Sequence, residues 1–332
     1  MTTATIPIQT SSFSYVNLIP CYQRFQWLNA KIVRVTLERF LSPGQRGRKG
    51  YDKVQMFQWL MYKQLMGCSY RDLESMTGID YSTFIKFRKR LSITNWFKKV
   101  FNALVVDMIA KKKVFGQPIT FIIDSSFVES YSKGKSQEKG AEYSGYKKKT
   151  GFKLHQGIDF NTRLPLKIRA TGGARSDVVW GRELIRGSPR DWPVEAVLAD
   201  RAYDAEDFVL GIKRKWKDVR VGIPFRMMRQ QILTDEGYKL TKSINRCLDQ
   251  ELINKRTEIE RYFSRKKYVF NLGEERTRHL KNFRDNCHMT AIMEILEWLS
   301  KDEIWWALFT RLGNEKAPGG AFEYKPIVIL TT

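Results

Sequence analysis

The chain has 332 residues, and its 58 Lys plus Arg outnumber 35 Asp plus Glu to give a formal charge of +23. Hydrophobic residues at 42% and aromatics at 13% exclude a disordered chain, and the length suits one large domain or two moderate ones. Such a charge excess repels itself unless a polyanion is the partner, which puts nucleic acid ahead of an anionic membrane surface.

No apolar run approaches the roughly 18 residues of a spanning helix, and the start, Met1-Thr-Thr-Ala-Thr-Ile-Pro-Ile, lacks the basic-then-apolar form of a signal peptide. A cytoplasmic protein without a membrane partner is expected. Cys21, Cys68, Cys247 and Cys287 are scattered, with no pair at zinc-site spacing, and His155, His279 and His288 are equally dispersed. Any metal is therefore expected to be a hard cation held by oxygen ligands.

Residues 1 to about 117 read as helical. Val54, Phe57, Leu60, Met61 and Leu65 recur at helical spacing. Gly67 breaks the pattern, and Ser69-Tyr-Arg-Asp72 has the form of an N-cap opening a short helix that ends near Gly78. Ser82 to Leu91 follows with its own capping hydroxyl, carrying Lys86, Arg88, Lys89 and Arg90. Three helices with tight turns, the last strongly basic, resemble a helix-turn-helix unit for DNA; the plainer reading is a solvated basic face on a helical bundle.

At Pro118 the period changes. Ile119 to Asp124 reads as a strand ending at the aspartate, and residues 129–150, rich in Gly, Ser, Lys and Tyr, as a mobile loop. From Gly151 to Phe160 the pattern alternates, with Phe152, Leu154, Gln156, Ile158 and Phe160 on one face and Lys153, His155 and Asp159 on the other. A turn at Asn161 returns the chain as a third strand over Leu164–Ala170. A helix over Ser176–Arg186, a strand over Glu195–Asp200, a helix capped by Asp204 and running to about Trp216, a strand over Val219–Ile223 and a long helix from roughly Leu248 to Phe270 complete the order. That order, β-β-β-α-β-α-β-α, is that of a ribonuclease-H-like mixed sheet, in which the ends of the first and fourth strands lie side by side. The expected boundaries are a helical DNA-binding domain at 1–117, a catalytic domain at 118–300 and a tail at 301–332.

Three acids stand in marked settings: Asp124 and Asp200 at strand ends, and Glu260 in a basic amphipathic stretch. Arg256, Glu260 and Lys267 share one helix face at i, i+4 and i+11, beside an apolar stripe of Leu252, Ile259, Phe263 and Phe270. Phosphodiester chemistry needs an activated water or hydroxyl and relief of charge on phosphorus and leaving oxygen. Two divalent ions about 3.5–4 Å apart, held by carboxylates, supply both. Each acid also has a plainer reading: Asp124 as a turn former or cap, Asp200 as a partner of Arg201, Glu260 as a surface partner of Arg256. Glu258 is an alternative ligand, though it points about 160° from the Arg256 face.

Several segments in order resemble the DDE transposases of prokaryotic insertion sequences, in the group described as insertion-sequence-four-like or -five-like. They are Lys53-Val-Gln-Met-Phe-Gln-Trp-Leu, Gly67-Cys-Ser-Tyr-Arg-Asp-Leu-Glu74, Ser82 to Leu91, Ile123-Asp124-Ser125-Ser126, Gly151-Phe-Lys-Leu-His155, Asp200-Arg-Ala-Tyr-Asp204 and Ile259-Glu260-Arg261. The resemblance spans residues from about 50 to 300. Around the last acid, Arg256, Glu260 and Lys267 fit the family's pattern, while Ile253 stands where a Tyr is usual. Only 59 residues separate Asp200 from Glu260, so a large β-rich insertion is not expected between them.

The resemblance implies catalytic and metal-binding roles for Asp124, Asp200 and Glu260 with two Mg²⁺ or Mn²⁺ ions. It also implies DNA or transition-state contacts from Arg256, Lys267, Lys153 and His155, double-stranded transposon ends and target DNA as substrates, and a homodimer holding both ends in a prokaryotic cell. Metal-activated water would release a 3′-hydroxyl, which would attack target DNA without a covalent protein intermediate. The rival reading is a regulator or domesticated transposase that binds DNA without cutting it; a second rival is a nuclease without strand transfer.

Overall fold

A computed structural model describes residues 25, 27–41, 50–114, 116–130, 140–224, 254–275 and 279–301. The chain divides into two compact units, one holding residues up to Lys63, Cys68–Lys89 and Met293 onward, the other Gln64–Gly67 and Arg90–Ile292.

The first unit is helical among the described residues: α1 (Lys31–Glu38), α2 (Lys53–Met66, as far as Lys63), α3 (Tyr70–Thr77) and most of α4 (Tyr81–Ile93). Its core contains Leu28, Val33, Leu37, Phe57, Met61, Leu73 and Phe84. Helix α3 starts where the sequence places it. Ser69 Oγ accepts the Asp72 N–H, the Asp72 carboxylate accepts the Ser69 N–H in return, and Gly78 closes the helix at φ +68°. The capping oxygen of α4 differs from expectation. It comes from Asp80, whose Oδ1 accepts the Ser82 N–H at 2.7 Å. Lys86, Lys89 and Arg90 are exposed and Arg88 is half-buried.

The second unit is built on one mixed sheet. Helix α5 (Trp96–Val114) leads into β1 (Ile119–Ser130), followed by β2 (Glu142–Ser144), β3 (Lys149–Asp159), β4 (Pro165–Gly172), α6 (Asp177–Arg186) and β5 (Val194–Ala199). A 3₁₀ turn (Arg201–Tyr203), α7 (Glu206–Lys215), β6 (Arg220–Gly222), α8 (Glu258–Tyr268), a two-residue β7 (Glu274–Glu275) and α9 (Leu280–Lys301, in this unit as far as Ile292) follow. The sheet runs β2-β3-β1-β5-β6, with β4 paired to β3 and β7 to β1. Strands β1 and β3 are antiparallel, β1 and β5 parallel, and β5 and β6 parallel.

Three readings change. Strand β1 does not stop at Asp124, because it stays paired with β3 as far as Glu129. Part of the expected loop at 129–150 is a hairpin, β2 turning at Gly145–Lys148 into β3; residues 131–139 lie outside the described residues. Strand β3 is buried on both faces and not on one. Helix α8 packs on the side where Gln156 donates to the Tyr262 hydroxyl at 2.6 Å, and α9 stacks Phe283 on Phe152 at 4.8 Å. On the other side α6 brings Trp180 against His155. A central strand covered twice loses its polar-out pattern.

One helix start also moves. Helix α7 begins at Glu206 after Ala205, with no side-chain cap, so Asp204 is not its N-cap. Helix α8 spans Glu258–Tyr268 after helical residues 254–256, with Ile259 and Phe263 buried as the apolar stripe requires. The expected beginning of that helix, Leu248–Ile253, lies outside the described residues, as do Cys21, Cys247 and the tail beyond Lys301. Helix α9 was not anticipated. No helix among the described residues is long and apolar enough to cross a membrane.

Candidate active site

The parallel pairing of β1 with β5 fixes the centre of the site. Ile123 pairs with Ala199, so Asp124 and Asp200 occupy the next position on neighbouring strands. Asp124 Oδ1 accepts the Ser125 N–H at 2.7 Å. Asp200 caps the 3₁₀ turn, its Oδ1 accepting the Ala202 N–H at 2.7 Å. Sheet pairing holds one acid and a capped turn the other, so neither depends on a long flexible connection.

The electrostatics are those of crowded acids. Burial pushes the Asp124 carboxyl up to about 7, and the charges of Asp200 and Asp177 add to that, against the Ser125 N–H and the Arg256 guanidinium. Tyr203 sits beside this group. Its buried hydroxyl makes no hydrogen bond of good geometry, and burial together with Asp124, Asp177 and Asp200 raises its pKa well above the usual value. Its ring would collide with any Cβ at Gly181 of α6, 2.7 Å away, so the helix can approach only because that residue is glycine.

Asp177, at the start of α6, was given no role from sequence. Its carboxylate accepts from Lys153 Nζ at 3.1 Å and lies 3.5 Å from His155 Nδ1. The available signal was an acid in the first turn of a helix just after the Gly172-Gly173 bend, facing the strand that carries Lys153 and His155. His155 does not face DNA as expected, because it is fully buried. Its Nε2 lies 3.0 Å from Thr171 Oγ1, whose proton goes to the Gly172 carbonyl. The ring is thus held between Thr171 on its Nε2 side and the Asp177 carboxylate on its Nδ1 side. Burial pulls its pKa down to about 4 against the pull of Asp177. Lys153, half-buried, is engaged by Asp177 and the Arg175 carbonyl.

Glu260 stands apart from the two aspartates. Its side chain is 64% exposed and its one ion pair given by the structure is a long contact to Arg256 Nη2 at 3.8 Å. Arg256 acts on Asp124 as well, so it links the helix carboxylate to the strand carboxylate. Glu258 is no competitor as a ligand, being buried and paired with Arg261 at 2.5 Å and Arg163 at 3.0 Å. Lys267 is half-buried in the last turn of α8.

Among the described residues no three His, Cys, Asp or Glu side chains come together closely enough to hold one ion. The donor chemistry nevertheless fits a magnesium-class cation. Such an ion is commonly held by one or two carboxylates, with waters and substrate phosphates completing the shell. Asp124 and Asp200 provide two hard oxygen ligands side by side, and the Asp124 pKa is raised first by burial and then by the neighbouring carboxylates.

Comparison with known proteins agrees with this geometry. No curated protein matches the sequence significantly. A solved structure described as a piggyBac transposase synaptic complex with hairpin DNA aligns at 14% identity over 94% of this chain and 85% of that one, at a TM-score of 0.34; that similarity is too low to carry an argument. Residues 116–295, more than half of the chain and containing Asp124, Asp177, Asp200 and Glu260, match the transposase DDE domain. The chain belongs to the DDE transposase family.

Proposed function

We propose that the protein cuts DNA at the ends of an insertion sequence and joins the freed ends to target DNA. The observation that carries this reading is the placement of Asp124 and Asp200 at neighbouring positions of the parallel β1–β5 pair, inside the region that matches the family. The strand order and directions support a ribonuclease-H-like core. The short helix α3 followed by the basic helix α4 supports a helix-turn-helix-like contact to the transposon end through Lys86, Arg88, Lys89 and Arg90. Membership in the insertion-sequence-four- or -five-like group, a prokaryotic cytoplasmic setting and a homodimer holding both ends belong to the same reading.

Two Mg²⁺ or Mn²⁺ ions, when bound, supply Lewis-acid activation of the attacking oxygen and relief of charge on the phosphate. Asp124 and Asp200 would hold them, with Glu260 as the third carboxylate. The protein's own groups do the rest. Asp124 must shed its proton before it can serve as a ligand, a step favoured by Arg256. Arg256 and Lys267 offer cationic donors to phosphate. Lys153 fixes Asp177 beside the acids and holds no direct claim on DNA. Attack by water breaks one phosphodiester and frees a 3′-hydroxyl; attack by that hydroxyl then breaks a phosphodiester of the target and forms a new one in its place, leaving the protein unmodified.

One observation favours a second reading, a DNA-binding regulator that does not cut. Glu260 is exposed and does not join the two aspartates in a three-residue cation site. The separating experiment incubates labelled DNA carrying the flanking ends of the gene with Mg²⁺ or EDTA, using wild type and Asp124→Asn. Metal-dependent cutting at the ends with joined products, both lost in the variant, supports transposition. Binding without cutting in any metal supports the regulator, and cutting without end preference or joining leaves a nuclease.

A further inference from the structure

The β2–β3 hairpin carries a surface that the site above does not use. Its four-residue turn, Gly145-Tyr146-Lys147-Lys148, is held firmly. Ser144 Oγ accepts the Lys147 N–H at 3.3 Å, and Lys148 takes a left-handed φ of +52°. Lys149 then anchors the start of β3 to Glu129 on β1 at 2.5 Å.

On this tip Tyr146 is 89% exposed and Tyr143, on β2, is 60% exposed. Two large rings left in water at the end of a tight hairpin contribute nothing to the core. Lys147 Nζ lies 5.1 Å from the centre of the Tyr146 ring, a cation–π contact that steadies the ring while most of it stays open. Among the described residues neither Lys147 nor Lys148 makes an ion pair.

A basic residue on another element acts on the tip electrostatically. Lys267, in the last turn of α8, has its pKa lowered by burial and then by the charge of Lys147. Lys267 therefore adds to the positive charge that the tip presents. The tip also lies along β3 from Gln156, the residue paired with Asp124. The seven residue-to-residue steps from Gln156 to Lys149 span roughly 23 Å at the rise of a strand.

We propose that Tyr146 is a stacking platform for an unpaired nucleotide, with Lys147, Lys148 and Lys267 holding the phosphates that flank it. This rests on the reading that the protein acts on DNA. Lysines alone would serve a duplex equally well, but paired bases keep their faces stacked inside the helix. An exposed, steadied ring gains contact only from a base that has left the stack. The occupant is therefore a locally unpaired stretch of DNA, separated from the carboxylates by about seven base-pair steps at 3.4 Å each.

The test measures binding of the full-length protein to a transposon-end duplex bearing one unpaired 2-aminopurine and to the same duplex fully paired. Wild type is expected to prefer the unpaired DNA and to quench its fluorescence. Tyr146→Ala is expected to lose about tenfold on the unpaired DNA alone, with Tyr146→Phe retaining both affinity and quenching. Lys147→Ala is expected to weaken both DNAs alike and to shallow the salt dependence. Wild type that binds both DNAs while Tyr146→Ala matches it on the unpaired one overturns the platform alone. Wild type that binds neither DNA overturns the platform and the transposition reading together.

Discussion

Asp124 and Asp200 occupy the same step of the parallel β1–β5 pair, one residue beyond Ile123 and Ala199, and the charge of Asp200 helps hold the Asp124 carboxyl near 7. The free protein at pH 6 therefore carries Asp124 mostly protonated. A cation that needs the carboxylate must displace that proton. Titration of Mg²⁺ into wild type at pH 6, in two buffers of different ionisation heat, should show release of close to one proton. Asp124→Asn should show none, and wild type at pH 8.5 should show little.

The same raised pKa sets a pH dependence on stability without metal. A carboxyl held above its unfolded value stabilises the fold fully below about pH 4, and that contribution is lost as pH rises through about 7. Asp124→Asn removes the loss. In urea denaturation with EDTA the variant should exceed wild type by about 1–2 kcal/mol at pH 8, after allowance for partial solvent access. The two should converge toward pH 4.

His288 acts in the opposite direction. Burial pulls it down to about 4, helped by Arg284, Lys98 and Lys266 and opposed by the Arg284 carbonyl, 2.8 Å from Nδ1. A histidine held neutral stabilises the fold above its unfolded pKa, and the contribution drains away as pH falls from about 6.5 to about 4. His288→Gln should flatten the acid side of the stability curve by close to one proton's worth of slope. An unchanged slope would show that His288 charges freely in the folded protein.

Glu260 and Asp177 should separate chemistry from stability. Glu260 is exposed with one long ion pair, so Glu260→Gln should change stability by less than about 0.5 kcal/mol. Any large loss of cleavage then belongs to catalysis. Asp177→Asn removes a negative charge that raises Asp124, and the pH for half-maximal cleavage should shift downward. A profile that stays in place would place Asp177 outside the working field.

Gly157 tests the packing beneath the site. A Cβ there would lie 2.2 Å from the fully buried Phe121 ring, which has no room to retreat. Gly157→Ala should cost about 2–3 kcal/mol in urea denaturation.

Much of this site was legible in the sequence because its parts are local. The Ile119–Asp124 run and the Val194–Asp200 run each announce a buried strand, and a parallel pairing of the two needs only the order of elements between them. The Ser69–Asp72 capping box is likewise a four-residue signal that the fold uses as written. What stayed hidden depends on distant partners. The continuation of β1 past Asp124 is set by pairing with β3, and the burial of His155 by Trp180 arriving from α6. Asp177 joins the acids only after α6 folds back on the sheet. Helix α9 hides because it is buried on nearly every side, which erases the amphipathic period by which a surface helix is recognised.

The hydrogen-bonded ladder from Thr120 to Ala199 has one consequence for how such a protein can change. The spacing of its two aspartates is written into backbone pairing, which is indifferent to most side chains around it. Substitutions on α3, α4 and the hairpin tip can accumulate without disturbing that spacing. If those elements select the DNA, as proposed, that selection can diverge from one descendant to the next while the pairing of the two acids is inherited intact.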